Sequence, residues 1–130
     1  MDKETYTYWL KSAEMDLKSS RNFFQSREYA WSLFVGHLAI EKLLKSFHAK
    51  LIDSKVPYKH NLVLLAQKCQ IRLTEKQLEF LDELSSFNIG IRYPDARFQF
   101  RKKCTKAFAE RRLKKIRELA VFLKSKIQHG

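Results

Sequence analysis

One run decides most of what this chain can become: residues 30–52, AWSLFVGHLAIEKLLKSFHAKLI. Apolar residues fall on nearly every side of a helix drawn through it, and Gly36 is its one weak position. Such a helix cannot rest on a surface with one face in water. It must be central, wrapped by helices of its own chain, or shared with a second chain, and in a bundle this small we expect both. A polar row also crosses the run: His37, Glu41, Lys45 and His48, spaced four, four and three and therefore on one face. Buried charge is costly, so the row has to reach water or be paired internally. Glu41 and Lys45 have ion-pair spacing. His37 and Glu41 are spaced either as a base with its orienting partner or as part of a structural polar seam.

The segments around this run supply its wrapping. Between Thr5 and Ser26, the residues Trp9, Leu10, Ala13, Leu17 and Phe24 recur at helical spacings with charges between them, which predicts an amphipathic helix ending near Ser26-Arg27-Glu28. Asp53-Ser54-Lys55-Val56-Pro57 closes the apolar helix, because proline disfavours helical geometry in the residue before it. Asn61 is placed to cap a short helix, NLVLLAQKC, and Thr74-Glu75-Lys76-Gln77 is a capping box that opens a further helix to about Phe87. Near the end, Ala109, Leu113, Ile116, Ala120, Leu123 and Ile127 form an apolar seam backed by Arg111, Arg112, Lys114, Lys115, Arg117, Lys124 and Lys126. No strand-like alternation and no internal repeat interrupts this pattern. The expected fold is all-α: one domain over residues 1–130, an up-and-down four-helix bundle with an additional short helix.

The stretch SSFNIGIRYPDARFQF, residues 85–100, fits that plan least well. It holds a glycine, a proline, four aromatic residues and two arginines, and no helical period runs cleanly through it, so it reads as a long connection. Arg92-Tyr93-Pro94-Asp95 suits a rigid turn. Arg92 and Arg97 have the forked donors that grip phosphate, and Tyr93 or Phe98 has a face on which a base stacks. The alternative is that Tyr93, Phe98 and Phe100 plug the end of the bundle, with Arg92 paired to Asp95 or another acidic residue.

Charge sharpens the question of partners. The net charge is +12, and residues 97–130 carry 12 Lys or Arg against 2 Asp or Glu, whereas residues 1–96 carry 14 against 12. A positive field concentrated in this way attracts nucleic acid, an acidic protein or anionic lipid; a solvated helix face is the alternative. A hydrophobic fraction of 45% opposes intrinsic disorder. No apolar run reaches the length of a membrane span, and the start MDKETYTYW lacks the features of a signal peptide, so we expect a cytoplasmic protein with no membrane contact. Cys69 and Cys104 match no metal or redox spacing and read as buried or idle thiols. The four histidines form no metal-binding pattern and no glycine-rich phosphate loop is present, so we expect no metal and no cofactor.

Four short pieces, in this order and spacing, resemble the HEPN family, the nucleotide-binding domain named for higher eukaryotes and prokaryotes. They are Tyr8-Trp9-Leu10-Lys11-Ser12-Ala13-Glu14 with Asp16-Leu17, the run from His37 to Lys45, His60-Asn61-Leu62, and Arg92-Tyr93-Pro94-Asp95-Ala96. The resemblance implies a helical bundle that dimerises beside a shared cleft and works with a minimal nucleotidyltransferase, as in a toxin–antitoxin pair. Some members of that family are RNases that use an Arg with a His a few positions later. Here Arg92 is followed by Tyr93-Pro94-Asp95-Ala96-Arg97-Phe98-Gln99 with no His, so the pattern is incomplete. Metal-free RNA cleavage needs a group that moves a proton near neutral pH, which arginine is not; His37 or His60 would have to supply it. The expected function is therefore a homodimeric, non-catalytic module. It binds a nucleotide or RNA phosphate through Arg92, Tyr93, Asp95, Arg97, His37, Glu41 and Lys45. The alternatives are a metal-independent RNase of the HEPN toxin type and a protein-binding adaptor with a basic helix.

Overall fold

The apolar run becomes the axis of the molecule. In the computed structural model, which describes residues 3–130, it forms α2 (Tyr29–Leu51). The other helices are α1 (Lys3–Gln25), α3 (Leu62–Lys68), α4 (Glu75–Arg92), α5 (Pro94–Lys103) and α6 (Lys106–His129), and no strand occurs among the described residues. All five pack against α2, α1 and α6 most extensively. Leu33, Ile40, Leu43 and Leu44 of α2 are fully buried in one core with Leu62 and Leu65 of α3, Leu81 and Leu84 of α4, and Ile116 and Leu123 of α6. Each such side chain contributes about 1.5–3 kcal/mol of hydrophobic stabilisation. The all-α bundle expected from the sequence is thus the fold, and the seam predicted on α6 is buried at all six positions.

Hydrogen bonds pin α1 antiparallel to α2 at both ends. Ser20 Oγ donates to the Ser32 carbonyl (2.6 Å) and Ser32 Oγ to the Ser20 carbonyl (2.9 Å). At the far end Ser46 Oγ donates to the Tyr6 carbonyl (2.8 Å). The reversal between the two helices uses Arg27 in the left-handed region, φ 65°, so that the Glu28 amide donates to the Phe23 carbonyl (2.9 Å) and the Arg27 amide to that of Phe24 (3.0 Å). This pattern satisfies carbonyls that the end of α1 would otherwise leave unpaired. The caps read from sequence are present: Asn61 Oδ1 accepts from the Leu64 amide, and Thr74 and Gln77 cap each other reciprocally.

Residues 85–100 differ from expectation. They are not a long connection: α4 continues through them to Arg92, and α5 begins at Pro94, leaving Tyr93 as the single non-helical residue between the two. The bundle therefore carries a second short helix beyond the one anticipated. Proline is harmless at the first position of a helix, because its missing amide has no partner there in any case. Gly90 does not break α4 either. A Cβ at that position would lie 2.7 Å from Phe100 Cγ and 3.0 Å from Phe100 Cβ, so the glycine lets α5 fold back onto α4 with Phe100 stacked near Phe87. Phe100 is buried, as a plug would be, while Tyr93 and Phe98 are exposed.

This close approach sets the sign of a substitution. Helix propensity alone favours Gly90→Ala by about 1 kcal/mol, yet the contact is with the root of a buried ring, which cannot swing away. We expect a net loss of about 1–3 kcal/mol, read as a lower urea midpoint, while Ile89→Ala at the neighbouring exposed position leaves the midpoint nearly unchanged.

Candidate functional site

Glu41 lies at the middle of α2 and is 5% exposed, so its carboxylate needs partners. Lys45, one turn along the same helix, donates from Nζ to Glu41 Oε2 (3.2 Å). The second partner arrives from a distant part of the chain: His60 Nδ1 lies 3.2 Å from Oε1 and 3.3 Å from Oε2. A carboxylate only accepts, so the Nδ1 proton of His60 points at Glu41 and Nε2 is left as the imidazole's other reactive atom. The ring is half exposed. His37 Nε2 sits 4.0 Å from Glu41 Oε1, and Lys45 Nζ also lies 5.0 Å from the Trp9 ring centroid, a cation–π distance that seals the α1 side.

Three adjacent residues bring His60 to this point. His60 turns back to Glu41, Asn61 caps α3, and Leu62 buries its side chain in the core while its amide donates to Ser85 Oγ on α4 (3.0 Å). The connection after α2 is thereby fixed where it enters α3. Tyr58, 96% exposed, stands beside His60 with ring centroids 6.3 Å apart.

His37 is the unusual member of the cluster. It is completely buried, and neither ring nitrogen makes a hydrogen bond among the described residues. Burial pushes its pKa down from the ordinary histidine value. Glu41 and the Phe34 carbonyl, near enough to favour the protonated ring though outside hydrogen-bond geometry, oppose that shift; Arg92, and His60 when it is protonated, add to it. Arg92, at the end of α4, thus acts electrostatically on the same point as His60, although the two are 32 positions apart in sequence.

The structure distributes the expected site residues unevenly. His37, Glu41 and Lys45 form the buried floor, and the charge of Arg92 reaches it. Arg92 is exposed, with Nε donating to Asn88 Oδ1 one turn back rather than to Asp95. Tyr93 and Asp95 are exposed at the α4–α5 corner, where Asp95 lies in the first turn of α5. Arg97 is half-buried and its Nε donates to the Ile91 carbonyl (2.8 Å), bracing the corner. His48, although on the polar row, belongs elsewhere: its Nδ1 pairs with the Asp53 carbonyl (2.9 Å) at the end of α2. His60 and Tyr58 complete the cluster but were not among the binding residues expected from sequence. The sequence offers His60 only as a proton-moving group for the RNase alternative, and its place beside a helix cap fixes its position without naming Glu41 as its partner. Both cysteines are buried; burial pushes the Cys69 thiol up to about 12 and that of Cys104 up to about 11, so neither is a ready nucleophile. No group of residues suited to a metal ion occurs among the described residues.

The lowered pKa of His37 has a consequence for folding. Unfolded, the imidazole takes up a proton as pH falls through about 6.5; folded, it resists doing so until lower pH. The unfolded state therefore binds more protons in that window, and stability falls as pH drops below about 6.5, by at most about 1.4 kcal/mol per pH unit for a single site. Urea titrations from pH 7.5 to 5 should show a shallower acid-side loss for His37→Leu than for the unsubstituted chain. Equal slopes would mean that His37 titrates as it does when unfolded.

No curated protein matches the chain. Among solved structures, the crystal structure of TT1696 from Thermus thermophilus superposes with a TM-score of 0.80 at 24% identity, covering 93% of this chain and 97% of that one; the likeness concerns the fold. The family model described as HEPN domain matches residues 6–126, which include α1 from Tyr6 onward, the whole Glu41 cluster, the α4–α5 corner and nearly all of α6. The chain belongs to the HEPN family.

Proposed function

We propose that the Glu41 cluster and the adjoining α4–α5 corner bind the phosphate of a nucleotide or of RNA. The observation that carries this reading is the charge around one carboxylate. Glu41 is already paired with Lys45, His60 adds a positive charge at its exposed edge whenever it is protonated, and Arg92 acts on neighbouring His37 in the same sense. An anion entering from the exposed side meets the guanidinium of Arg92 and the Nε2 atom of His60, while Lys45 holds Glu41 in place beneath. Tyr58 and Tyr93, both largely exposed, offer faces on which a base stacks. Asp95 and Arg97 shape the corner from which Arg92 and Tyr93 project. The family resemblance supports a homodimer, a minimal nucleotidyltransferase as partner in a toxin–antitoxin-like pair, and a cytoplasmic setting. No helix among the described residues is long and apolar enough to cross a membrane.

A second reading is favoured by the His60–Glu41 pair. Arginine cannot move a proton near neutral pH, but an imidazole oriented by a carboxylate and left half exposed can. In this reading the site is a metal-independent RNase in which His60 stands in for the histidine absent after Arg92.

Labelled RNA and ATP, titrated into the purified chain across a salt series, test both readings. Arg92→Ala removes an exposed side chain; His60→Ala also removes one partner of buried Glu41, so circular dichroism checks that this variant keeps its fold. Each should weaken binding by about tenfold or more, since a charge-assisted hydrogen bond contributes about 1.5–3 kcal/mol, and Arg92→Ala should also flatten the salt dependence. Unchanged affinity in both variants would remove the site assignment. RNA cleaved by the unsubstituted chain in the presence of a chelator, and left whole by His60→Ala, would replace the binding reading with the RNase.

A further inference from the structure

A groove runs between α1 and α6 on a part of the bundle that shares no residue with the Glu41 cluster. The two helices both lean on α2 but lie apart from each other, leaving a space of about 590 Å³. Its apolar surface comes from Leu17 and Phe24 of α1 and from Leu113, Ile116, Ala120 and Val121 of α6. The floor is tight: Ile116 Cδ1 and Ser20 Oγ close over Gly36, where an added Cβ would lie 2.8 Å and 3.3 Å from them. Val121, by contrast, is 69% exposed on the groove wall, an apolar side chain that an occupant would cover.

The rims are charged with one sign in excess. Lys18, Arg21, Arg117 and Lys124 line the groove against Glu14 and Glu110. Glu14 is already engaged at one end, 3.9 Å from Lys124 across the gap. The lining on α1 extends from Glu14 to Phe24, a length of about 15 Å at 1.5 Å per residue, which accommodates nearly three turns of an incoming helix. An apolar floor between cationic rims is the complement of an amphipathic helix with carboxylates along its flanks. Single-stranded nucleic acid would place phosphates and sugars against Leu17, Phe24 and Leu113, a poor match for their apolar surface. A second copy seated groove to groove would set Lys18, Arg21, Arg117 and Lys124 against themselves, which leaves a homodimer to use another face.

We infer that the α1–α6 groove docks an amphipathic helix of a partner protein, with its apolar stripe on Val121 and the groove floor and its Asp or Glu flanks against Arg21, Arg117, Lys18 and Lys124. The inference is independent of the Glu41 site, and the partner is defined by this chemistry alone.

The test is a displayed library of amphipathic helical peptides whose flanking positions are drawn equally from Glu and Lys, selected on the full chain. Glu-flanked peptides should be enriched. The best of them, made synthetically, should bind about tenfold more weakly to Arg21→Glu/Lys124→Glu and to Val121→Ser, and equally well to Arg92→Ala. These substitutions change exposed or rim positions, and circular dichroism checks that each variant keeps its fold. Lys-flanked winners, no enriched peptide, or affinity indifferent to both groove variants would overturn the inference. So would self-association in sedimentation equilibrium that Val121→Ser abolishes, which would assign the groove to a second copy.

Discussion

A carboxylate at the centre of a helical bundle is the condition to which the rest of this molecule is fitted. Taking an ion such as that of Glu41 out of water costs several kcal/mol unless partners replace the lost hydration. Lys45 supplies one partner from the next turn of the same helix, and His60 supplies the other from beyond the end of α2. Holding His60 there requires the chain after Leu51 to return along the bundle, which the Asn61 cap and the Leu62–Ser85 hydrogen bond secure. Trp9 covers Lys45 from α1. The polar row that first looked like an interruption of an apolar helix thus adds polar ties from α2 to α1 and to the residues that open α3.

The same cluster remains incomplete as a purely structural device. His37 is wholly buried with no hydrogen bond to either ring nitrogen among the described residues, and the charge of Arg92 further disfavours a proton there. A polar network optimised only for stability would satisfy every member, because a buried polar group without a partner costs about 1–3 kcal/mol. The unsatisfied His37, together with the half-exposed face of His60 and the exposed Tyr58 and Tyr93, is the ground on which an anionic ligand with a stackable base is proposed. Glycine serves this arrangement indirectly: Gly90 allows α5 to close onto α4, and the tight corner that results presents Arg92 and Tyr93 outward.

Two surfaces with different chemistry therefore coexist on one small bundle. The Glu41 side is polar and aromatic, and it draws on α2, the residues before α3, and the end of α4. The α1–α6 side is apolar at its base and cationic at its rims. Of the basic residues in 97–130, Arg117 and Lys124 lie on the groove, whereas Arg97 braces a helix corner.

The helical class, the central place of residues 30–52, the buried seam of α6 and the caps at Asn61 and Thr74 were all legible in the sequence. Each follows from local periodicity or from hydrogen bonds between residues three or four apart, and such information survives in a linear string. The stretch around Arg92 reads as a connection because glycine and proline mark breaks only on average; Gly90 and Pro94 each stand where a helix tolerates or needs them, which depends on Phe100 and on where α5 begins. The polar row was visible, but its division was not: Glu41 and Lys45 went to the site, and His48 went to the end of its own helix. The sequence by itself determined which helices form and which faces they bury. Only the tertiary structure decided that His60 meets Glu41, that the charge of Arg92 is felt at His37, and that α1 and α6 stand apart over α2, because those relations depend on contacts between residues far apart in the chain.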